Sequence, residues 1–301
     1  MKVFLTGASG YIGGTIANAL LAAGHSVTGL VRSQERAQRV RAHGIQAVLG
    51  TLDHAELLAE LADSADAVIN AADADHRGAV EAMLPVLRGK AFIQTSGSGI
   101  VADCAGGELS DKIYEDDTPV QPLAARVARV ALNTLVLDSA SNGVRASVIA
   151  PPMIYGRGTG LNPDSIQIPR MIAVARKHGV ARYVGRGANT WSNVHVEDLA
   201  DLYVKALTDA PAGAFYYAEN GEASMADICR SISRMLGFGE KTASMTQEEA
   251  IAEYGEGPTL YSFGSNSRVR ALRARAELGW SPRRASLFDE IEQGSYSSQA
   301  Y

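Results

Sequence analysis

The chain opens with a strand pattern, a glycine-rich turn and a helix pattern. The segment K-V-F-L-T-G-A-S-G-Y-I-G-G fills residues 2–14, and apolar residues at helical spacing continue beyond it. In such a unit Gly7 allows a sharp turn, Gly10 leaves room for a pyrophosphate against the backbone, and Gly13 lets the helix lie close to the strand. The helix N-terminus offers unpaired N–H groups to phosphates. The segment therefore predicts a dinucleotide-binding site formed by Gly7, Ser9, Gly10, Tyr11, Ile12 and Gly13.

Strand and helix patterns alternate through the rest of the first half. Further strands are predicted at 26–31, 46–49, 66–70, 91–95 and 145–150, with helices at 34–42, 54–61, 77–87 and 123–140. Alternation at this spacing is typical of a parallel sheet with helices on both faces. The predicted fold class is therefore α/β, a Rossmann-type doubly wound parallel sheet with a smaller C-terminal substrate-binding lobe.

The second half has a looser pattern, which sets the predicted domain boundary. An extended piece and an amphipathic helix follow residue 193, and a seventh strand is predicted at 213–218. We expect residues 1–151, completed by 193–219, to form the dinucleotide-binding domain. Residues 152–301 should form mainly the substrate-binding lobe.

Composition excludes several classes of function. The net charge is −5, and basic residues are not clustered as in a nucleic-acid groove. Apolar runs stay shorter than the roughly 18 residues that span a bilayer, and Met1 leads straight into a strand rather than a signal peptide. The two cysteines, Cys104 and Cys229, lack metal-ligand spacing. We therefore expect a cytoplasmic protein with no metal, nucleic-acid or membrane site.

Five later segments resemble, in order, motifs of the extended short-chain dehydrogenase/reductase superfamily, which includes sugar-nucleotide epimerases and dehydratases. The opening turn at residues 6–13 also has the spacing of a motif of this superfamily, T-G-x-x-G-x-x-G. The five segments are Asn70-Ala71-Ala72, Thr95-Ser96-Gly97, Pro151-Pro152-Met153-Ile154-Tyr155-Gly156, Val194-His195-Val196-Glu197-Asp198-Leu199-Ala200 and Leu278-Gly279-Trp280-Ser281-Pro282. The resemblance implies a nicotinamide cofactor beside Ala71, Ala72 and Thr95, with its adenine near the Leu52 backbone. It also implies a possible homodimer through helices near 77–88 and 123–140.

The end of the second strand favours NADP over NAD. NAD-preferring members of the superfamily usually carry an acidic residue there to bind the ribose 2′-hydroxyl, whereas this chain has Arg32. A guanidinium can pair with a 2′-phosphate. Ser33 can add a hydrogen bond, and Arg36 follows one helical turn later. The predicted cofactor is therefore NADP.

The catalytic segment departs from the superfamily pattern. Ser96 matches the hydroxyl that holds the substrate oxygen, but the tyrosine and lysine of the usual Y-x-x-x-K pair are replaced by Arg126 and Val130. The chain therefore resembles the atypical subgroup, which keeps the fold without the standard active site. Arginine is too basic to donate the proton, although it can bind a carboxylate or an oxyanion.

Other residues are candidates for the missing acid. Tyr114 lies on the loop that leaves the fifth strand, and we predict it as the catalytic acid beside Ser96. Ser98 and Tyr155 are further candidates, while His195 is expected to cap the helix that follows it. Trp191 stands where sugar-nucleotide enzymes of the superfamily usually have an arginine, which favours a partly apolar pocket for a small carbonyl compound.

Three functions are compatible with these residues. The first is an NADP(H)-dependent oxidoreductase acting on a small organic carbonyl compound. The second is a non-catalytic NADP-binding redox sensor or regulator, which the missing tyrosine and lysine favour. The third is an epimerase, isomerase or lyase that uses its bound cofactor transiently. The retained Ser96 and the second lobe favour the first.

Overall fold

The computed structural model describes residues 1–298, and twelve strands form within them. The strands are β1 (Lys2–Thr6), β2 (Ser26–Val31), β3 (Gln46–Leu49), β4 (Ala67–Asn70), β5 (Ala91–Thr95), β6 (Arg145–Ala150), β7 (Met153–Tyr155), β8 (Ala181–Val184), β9 (Thr190–His195), β10 (Ala214–Tyr217), β11 (Glu222–Ser224) and β12 (Thr242–Met245).

Twelve α-helices lie between and after these strands in the same residues. The helices are α1 (Tyr11–Ala22), α2 (Gln34–Ala42), α3 (Ala55–Ser64), α4 (Arg77–Met83), α5 (Val127–Asp138), α6 (Gln167–His178), α7 (Val196–Asp209), α8 (Met225–Met235), α9 (Gln247–Tyr254), α10 (Glu256–Pro258), α11 (Leu272–Leu278) and α12 (Leu287–Glu292). A π-helical turn at Thr259–Phe263 follows α10 directly.

The central sheet has seven strands in the order β10-β6-β5-β4-β1-β2-β3, and each neighbouring pair is parallel. Its strands are apolar on both faces because helices cover both. Helices α1, α2 and α7 pack on one face, and α3, α4 and α5 pack on the other. The predicted doubly wound α/β fold is therefore confirmed.

The strand order reverses at β1, which has β2 on one side and β4 on the other. Such a reversal separates the loops that leave the carboxyl ends of the two neighbouring strands and opens a crevice between them. The glycine turn after β1 and the loop after β4 border this crevice, so the ligand site of the fold is fixed by topology.

The second lobe has small sheets of its own. Strands β11, β9 and β7 form one, and β12 pairs with β8. A separate apolar cluster, with Tyr155, Ile172, Trp191 and Ile228 among its buried members, holds this lobe together. Strand β10 returns the chain to the central sheet, where it pairs with β6.

The helix predicted at 123–140 is shorter in the structure. Helix α5 is flanked by 3-10 turns at Ala124–Arg126 and Ser139–Asn142. Arg126, with φ −117° and ψ −5°, departs from helical geometry and separates the first turn from α5. Arg126 therefore lies at the junction between the 3-10 turn and α5, where it is the N-cap residue of α5.

The prediction at 77–87 also differs at its end. Helix α4 stops at Met83 and continues as a 3-10 turn over Leu84–Val86. Pro85 lacks the N–H that would continue the α-helical ladder. The short strands β7, β8, β11 and β12 were not predicted. They lie in the second half of the chain, where strand and helix patterns do not alternate regularly, so a run of three or four residues is not marked by its position between helices.

Within residues 1–298, none of the helices combines the length and apolar character that a membrane crossing requires.

Candidate functional site

The three glycines of the opening turn have different roles. Gly7 has φ +78°, and a Cβ there would lie 2.6 Å from the carbonyl oxygen of Ala71. A Cβ on Gly13 would lie 2.2 Å from the carbonyl oxygen of Gly7. Gly10 instead has φ −87°, which any residue adopts, and its nearest obstacle is 3.2 Å away. Gly7 and Gly13 are therefore needed for packing, whereas Gly10 keeps the crevice open.

A cavity of about 420 Å³ lies over this turn. It brings together seven of the residues predicted to bind the cofactor: Gly7, Ser9, Gly10, Arg32, Leu52, Ala71 and Ala72. The prediction did not include the lining residues Asp53, Asp73 and His76, which lie on loops without a glycine motif. The first N–H groups of α1, at the edge of this cavity, have no partner within the helix. The cradle fits the phosphates and adenosine of a nicotinamide dinucleotide.

A buried hydrogen-bond chain supports the floor of the crevice. The Thr6 hydroxyl donates to Asn70 Oδ1, Asn70 Nδ2 donates to Gln94 Oε1 at 2.8 Å, and Gln94 Nε2 donates to the Thr95 carbonyl at 3.1 Å. The same Thr6 hydroxyl accepts the backbone N–H of Ala71 at 3.1 Å. The chain crosses β1, β4 and β5 at their carboxyl ends and fixes the loop beside the cavity.

Two arginines face the adenosine end of the cavity. The guanidinium groups of Arg32 and Arg36 have no hydrogen bond or ion pair with any other residue in the part of the chain that the structure describes. Both line the cavity. The Ser33 hydroxyl accepts the Arg36 backbone N–H at 3.3 Å and so caps α2. The carboxylate of Asp53, across the cavity, lies 3.1 Å from His76 Nε2.

The side chains of two other predicted cofactor residues serve the fold. The Tyr11 hydroxyl donates to the Gly156 carbonyl at 2.7 Å, which ties α1 to the loop after β7. The Thr95 hydroxyl lies 2.7 Å from that of Tyr203, so it points towards α7. Their contacts to a cofactor, and that of Ile12 on the same helical turn as Tyr11, stay predictions.

Ser96 lies just beyond β5 on the face towards α5. Its Oγ accepts a hydrogen bond from Asn133 Nδ2 at 2.9 Å, and both side chains are buried. Because Asn133 supplies the donor, the Ser96 hydroxyl proton is free to be donated. The Asn133 Oδ1 atom is buried without a hydrogen-bond partner among the described residues.

Tyr114 lies in an apolar cluster with Ile100, Val101, Tyr217 and Val269. Its ring is buried, with the Lys112 ammonium 4.7 Å from the ring centre. No hydrogen bond joins Tyr114 to Ser96 within residues 1–298. Its predicted role as the acid therefore stays a prediction.

The further candidates have structural partners. The Ser98 and Ser267 hydroxyls lie 2.6 Å apart, and the Tyr155 hydroxyl donates to the Ala285 carbonyl at 2.9 Å. Burial raises the pKa of Tyr155, so its phenol stays neutral. His195 Nδ1 accepts the Glu197 N–H at 3.2 Å, which confirms that His195 caps α7.

Two arginines occupy the segment where the superfamily carries its tyrosine and lysine. Arg126 is half-buried, and Arg129 lies one turn later on α5. The Arg129 guanidinium binds both carboxylate oxygens of Asp75, with Nε 2.7 Å from Oδ1. This hydrogen bond lowers the pKa of Asp75 and keeps it ionised. Val130 packs at the edge of the Tyr114 cluster. Across residues 1–298, His, Cys, Asp and Glu form no group of three suited to a metal ion.

Comparisons with known proteins agree with this geometry. The model of the NAD dependent epimerase/dehydratase family matches residues 3–216. Oxidase ucsJ of an Acremonium species is 32% identical over 97% of this chain and 95% of its own length. The 4-hydroxy-2-methyl-3-oxo-4-farnesyl-3,4-dihydroquinoline-1-oxide ketoreductase of Stigmatella aurantiaca is 32% identical over 73% of this chain and 69% of its own.

A solved structure shows the same fold. dTDP-glucose 4,6-dehydratase from Bacillus anthracis, determined in complex with NAD, is similar with a TM-score of 0.78 over 99% of this chain and 97% of that chain. The two sequences are 17% identical, so this likeness concerns the fold.

Proposed function

Because the chain belongs to the NAD dependent epimerase/dehydratase family, we propose that it is an NADP(H)-dependent reductase acting on a small organic carbonyl compound. The family and the relatives point to an oxidoreductase or epimerase-type enzyme with a nicotinamide cofactor. The family match also confirms the resemblance to the extended short-chain dehydrogenases and reductases. NADP, the carbonyl substrate and the direction of reaction are the proposed parts.

The observation that carries the choice of NADP is the pair Arg32 and Arg36 at one end of the cavity. Neither guanidinium has a partner in residues 1–298, and β2 ends without a carboxylate. A 2′-phosphate would give both arginines a counter-charge, whereas a 2′-hydroxyl would leave them unpaired.

The chain's own contribution to the reaction begins with Ser96. When bound, the cofactor supplies a hydride to the carbonyl carbon or removes one from the alcohol. In reduction the carbonyl oxygen gains negative charge, and in this proposal the Ser96 hydroxyl donates a hydrogen bond to it. Asn133 Nδ2 orients this hydroxyl from the other side, which makes Asn133 a positioning residue.

The product oxygen also needs a proton. Arg126 stands where the superfamily has its tyrosine and cannot supply one at neutral pH. Tyr114 is the proposed acid, with a bound water or a substrate hydroxyl as the alternatives. Acid catalysis is worth about 10²–10⁴-fold, so the identity of the donor is measurable.

The test is NADPH oxidation with a panel of small ketones, aldehydes and enones. We expect Ser96→Ala to lower turnover strongly while NADPH affinity is kept. Ser139→Ala is the matched control, since Ser139 is equally buried and also hydrogen-bonded but lies at the far end of α5. Tyr114→Phe should lower turnover at least about tenfold if Tyr114 is the acid, and hardly at all if water serves. Equal turnover in the Ser96 and Ser139 variants would contradict the proposal.

The sensor function has one observation in its favour: no acidic group is hydrogen-bonded to the Ser96 hydroxyl within residues 1–298. It predicts tight NADP(H) binding without turnover of any compound, together with redox-dependent association with a partner protein. An epimerase would instead interconvert substrate isomers without net NADPH consumption. The homodimer through the helices near 77–88 and 123–140 is a further proposal, tested by the mass of the protein in solution.

A further inference from the structure

Arg126 is a charged side chain without a counter-charge. It makes no ion pair or hydrogen bond with any residue from 1 to 298, and its Nε atom is buried without a partner. Its guanidinium carbon lies 4.7 Å from the centre of the Tyr261 ring. A buried polar atom of a charged group costs free energy unless it is paired. The structure therefore leaves a position for a ligand group at Arg126.

The charges around Arg126 do not supply the missing partner. Asp75 is bound in a bidentate pair by Arg129. The Asp103 carboxylate accepts hydrogen bonds from Ser265 and from the Asn266 backbone and side chain. Asp75 is therefore paired with Arg129, and neither carboxylate binds the Arg126 guanidinium, which leaves that group for an anionic ligand.

The Arg126 guanidinium lies beside the segment that follows Ser96. A Cβ on Gly99 would lie 4.0 Å from Arg126 Nε and 3.9 Å from Trp191 Cη2. Gly99 belongs to the 3-10 turn Ser98–Val101, which begins two residues after Ser96, and none of these residues lines the adenosine cavity. Arg126 and Trp191 therefore lie beside the turn that follows the proposed substrate-binding hydroxyl.

The element that presents Tyr261 is unusual. Tyr261 is in the middle of the π-helical turn Thr259–Phe263. Such turns are rare in proteins as a whole, and those that occur are often found at functional sites. The Arg126 guanidinium lies over the face of the Tyr261 ring. A cation–π contact of this kind holds the guanidinium in position and uses none of its N–H donors, which stay available to a ligand.

We propose that Arg126 binds a carboxylate of the substrate, so that the enzyme acts on carbonyl compounds that are also monocarboxylic acids. This inference rests on the proposed reductase function for its substrate, although the anion site itself does not. A carboxylate is planar and matches the guanidinium fork through two parallel hydrogen bonds. A diphosphate would bring more negative charge than the Arg126 guanidinium alone can balance.

Kinetics with 4-formylbenzoate and its methyl ester test the inference. The pair has the same aldehyde and differs in charge. We expect wild type to prefer the acid in kcat/KM by about ten- to a hundredfold. Arg126→Gln should lower kcat/KM for the acid to about that for the ester, so that the preference disappears, while the NADPH Kd stays the same. Arg126→Lys, which keeps the charge without the fork, should be intermediate. Arg186→Gln is the control, because Arg186 is exposed and paired with Glu108.

Binding of benzoate, followed by thermal shift, gives a readout that needs no turnover. Benzoate should stabilise wild type and the Arg186 control, but not Arg126→Gln. If benzoate shows this pattern of stabilisation while no carbonyl compound is reduced, the anion site is supported and the reductase function fails. If aldehydes are reduced but acid and ester react equally in wild type and Arg126→Gln, the carboxylate site fails and the reductase function stands. If Arg126→Gln instead weakens NADPH binding as much as it weakens benzoate binding, Arg126 belongs to the cofactor site and the inference is overturned.

Discussion

Replacing Arg32 with alanine should weaken NADP binding without affecting NAD. A charge-assisted hydrogen bond contributes about 1.5–3 kcal/mol. Arg32 is exposed, so solvent screening places its contribution near the lower limit, about 1.5 kcal/mol. This corresponds to about a tenfold rise in the NADP Kd. NAD has no 2′-phosphate, so its Kd should stay the same.

The assay is titration of NADPH and NADH by fluorescence in wild type, Arg32→Ala, Arg36→Ala and the double variant. Arg39→Ala is the matched control, because Arg39 lies on α2 with Arg36 and has a side chain that is 52% exposed. Its Nη1 atom lies 3.9 Å from Glu35 Oε1. Arg39 does not line the cavity. The control should keep both dissociation constants.

Salt supplies an independent check of the same interaction. Raising the ionic strength from about 0.1 to about 1 M shortens the Debye length from about 10 to about 3 Å. The preference for NADPH over NADH should therefore shrink in wild type and change little in the double variant. Equal loss of both cofactors in Arg32→Ala, or a wild-type preference for NADH, would refute the reasoning.

Two further predictions concern the glycine turn and the pKa of His195. Gly10→Val should keep the fold and abolish dinucleotide binding, and a folded Gly10→Val protein that titrates NADPH like wild type would place the site elsewhere. Gly13→Ala should instead lower the melting temperature, since its Cβ would lie 2.2 Å from the carbonyl oxygen of Gly7. Burial lowers the pKa of His195 from 6.5, although the Glu290 carboxylate opposes the shift. The unfolded chain then binds a proton that the folded chain does not, so stability is fully present above about pH 6.5 and falls below it. His195→Asn, which can still cap α7, should show a melting temperature that depends less on pH between about 5 and 7.5, and an unchanged pH dependence would contradict this.

Local patterns in the sequence were sufficient for the cofactor half of the molecule. The glycine turn, the alternating strands and helices and Arg32 are encoded within short segments, because strand periodicity, turn chemistry and helix termini are local properties. The same is true of the absence of a Y-x-x-x-K pair, which is a property of spacing along one helix. These features are sufficient to predict the fold and seven of the residues that line the cavity.

The substrate half was decided by contacts between segments that are far apart in the chain. The pairing of Asp75 with Arg129 joins the loop after β4 to α5, and Tyr261 reaches Arg126 from a π-helical turn in the second lobe. Asn133 on Ser96 is a further contact of this kind. No periodicity or motif marks such residues, because their role depends on which elements pack together. The sequence therefore indicated that Arg126 replaces the usual acid, and only the tertiary structure showed that its guanidinium is unpaired among the described residues.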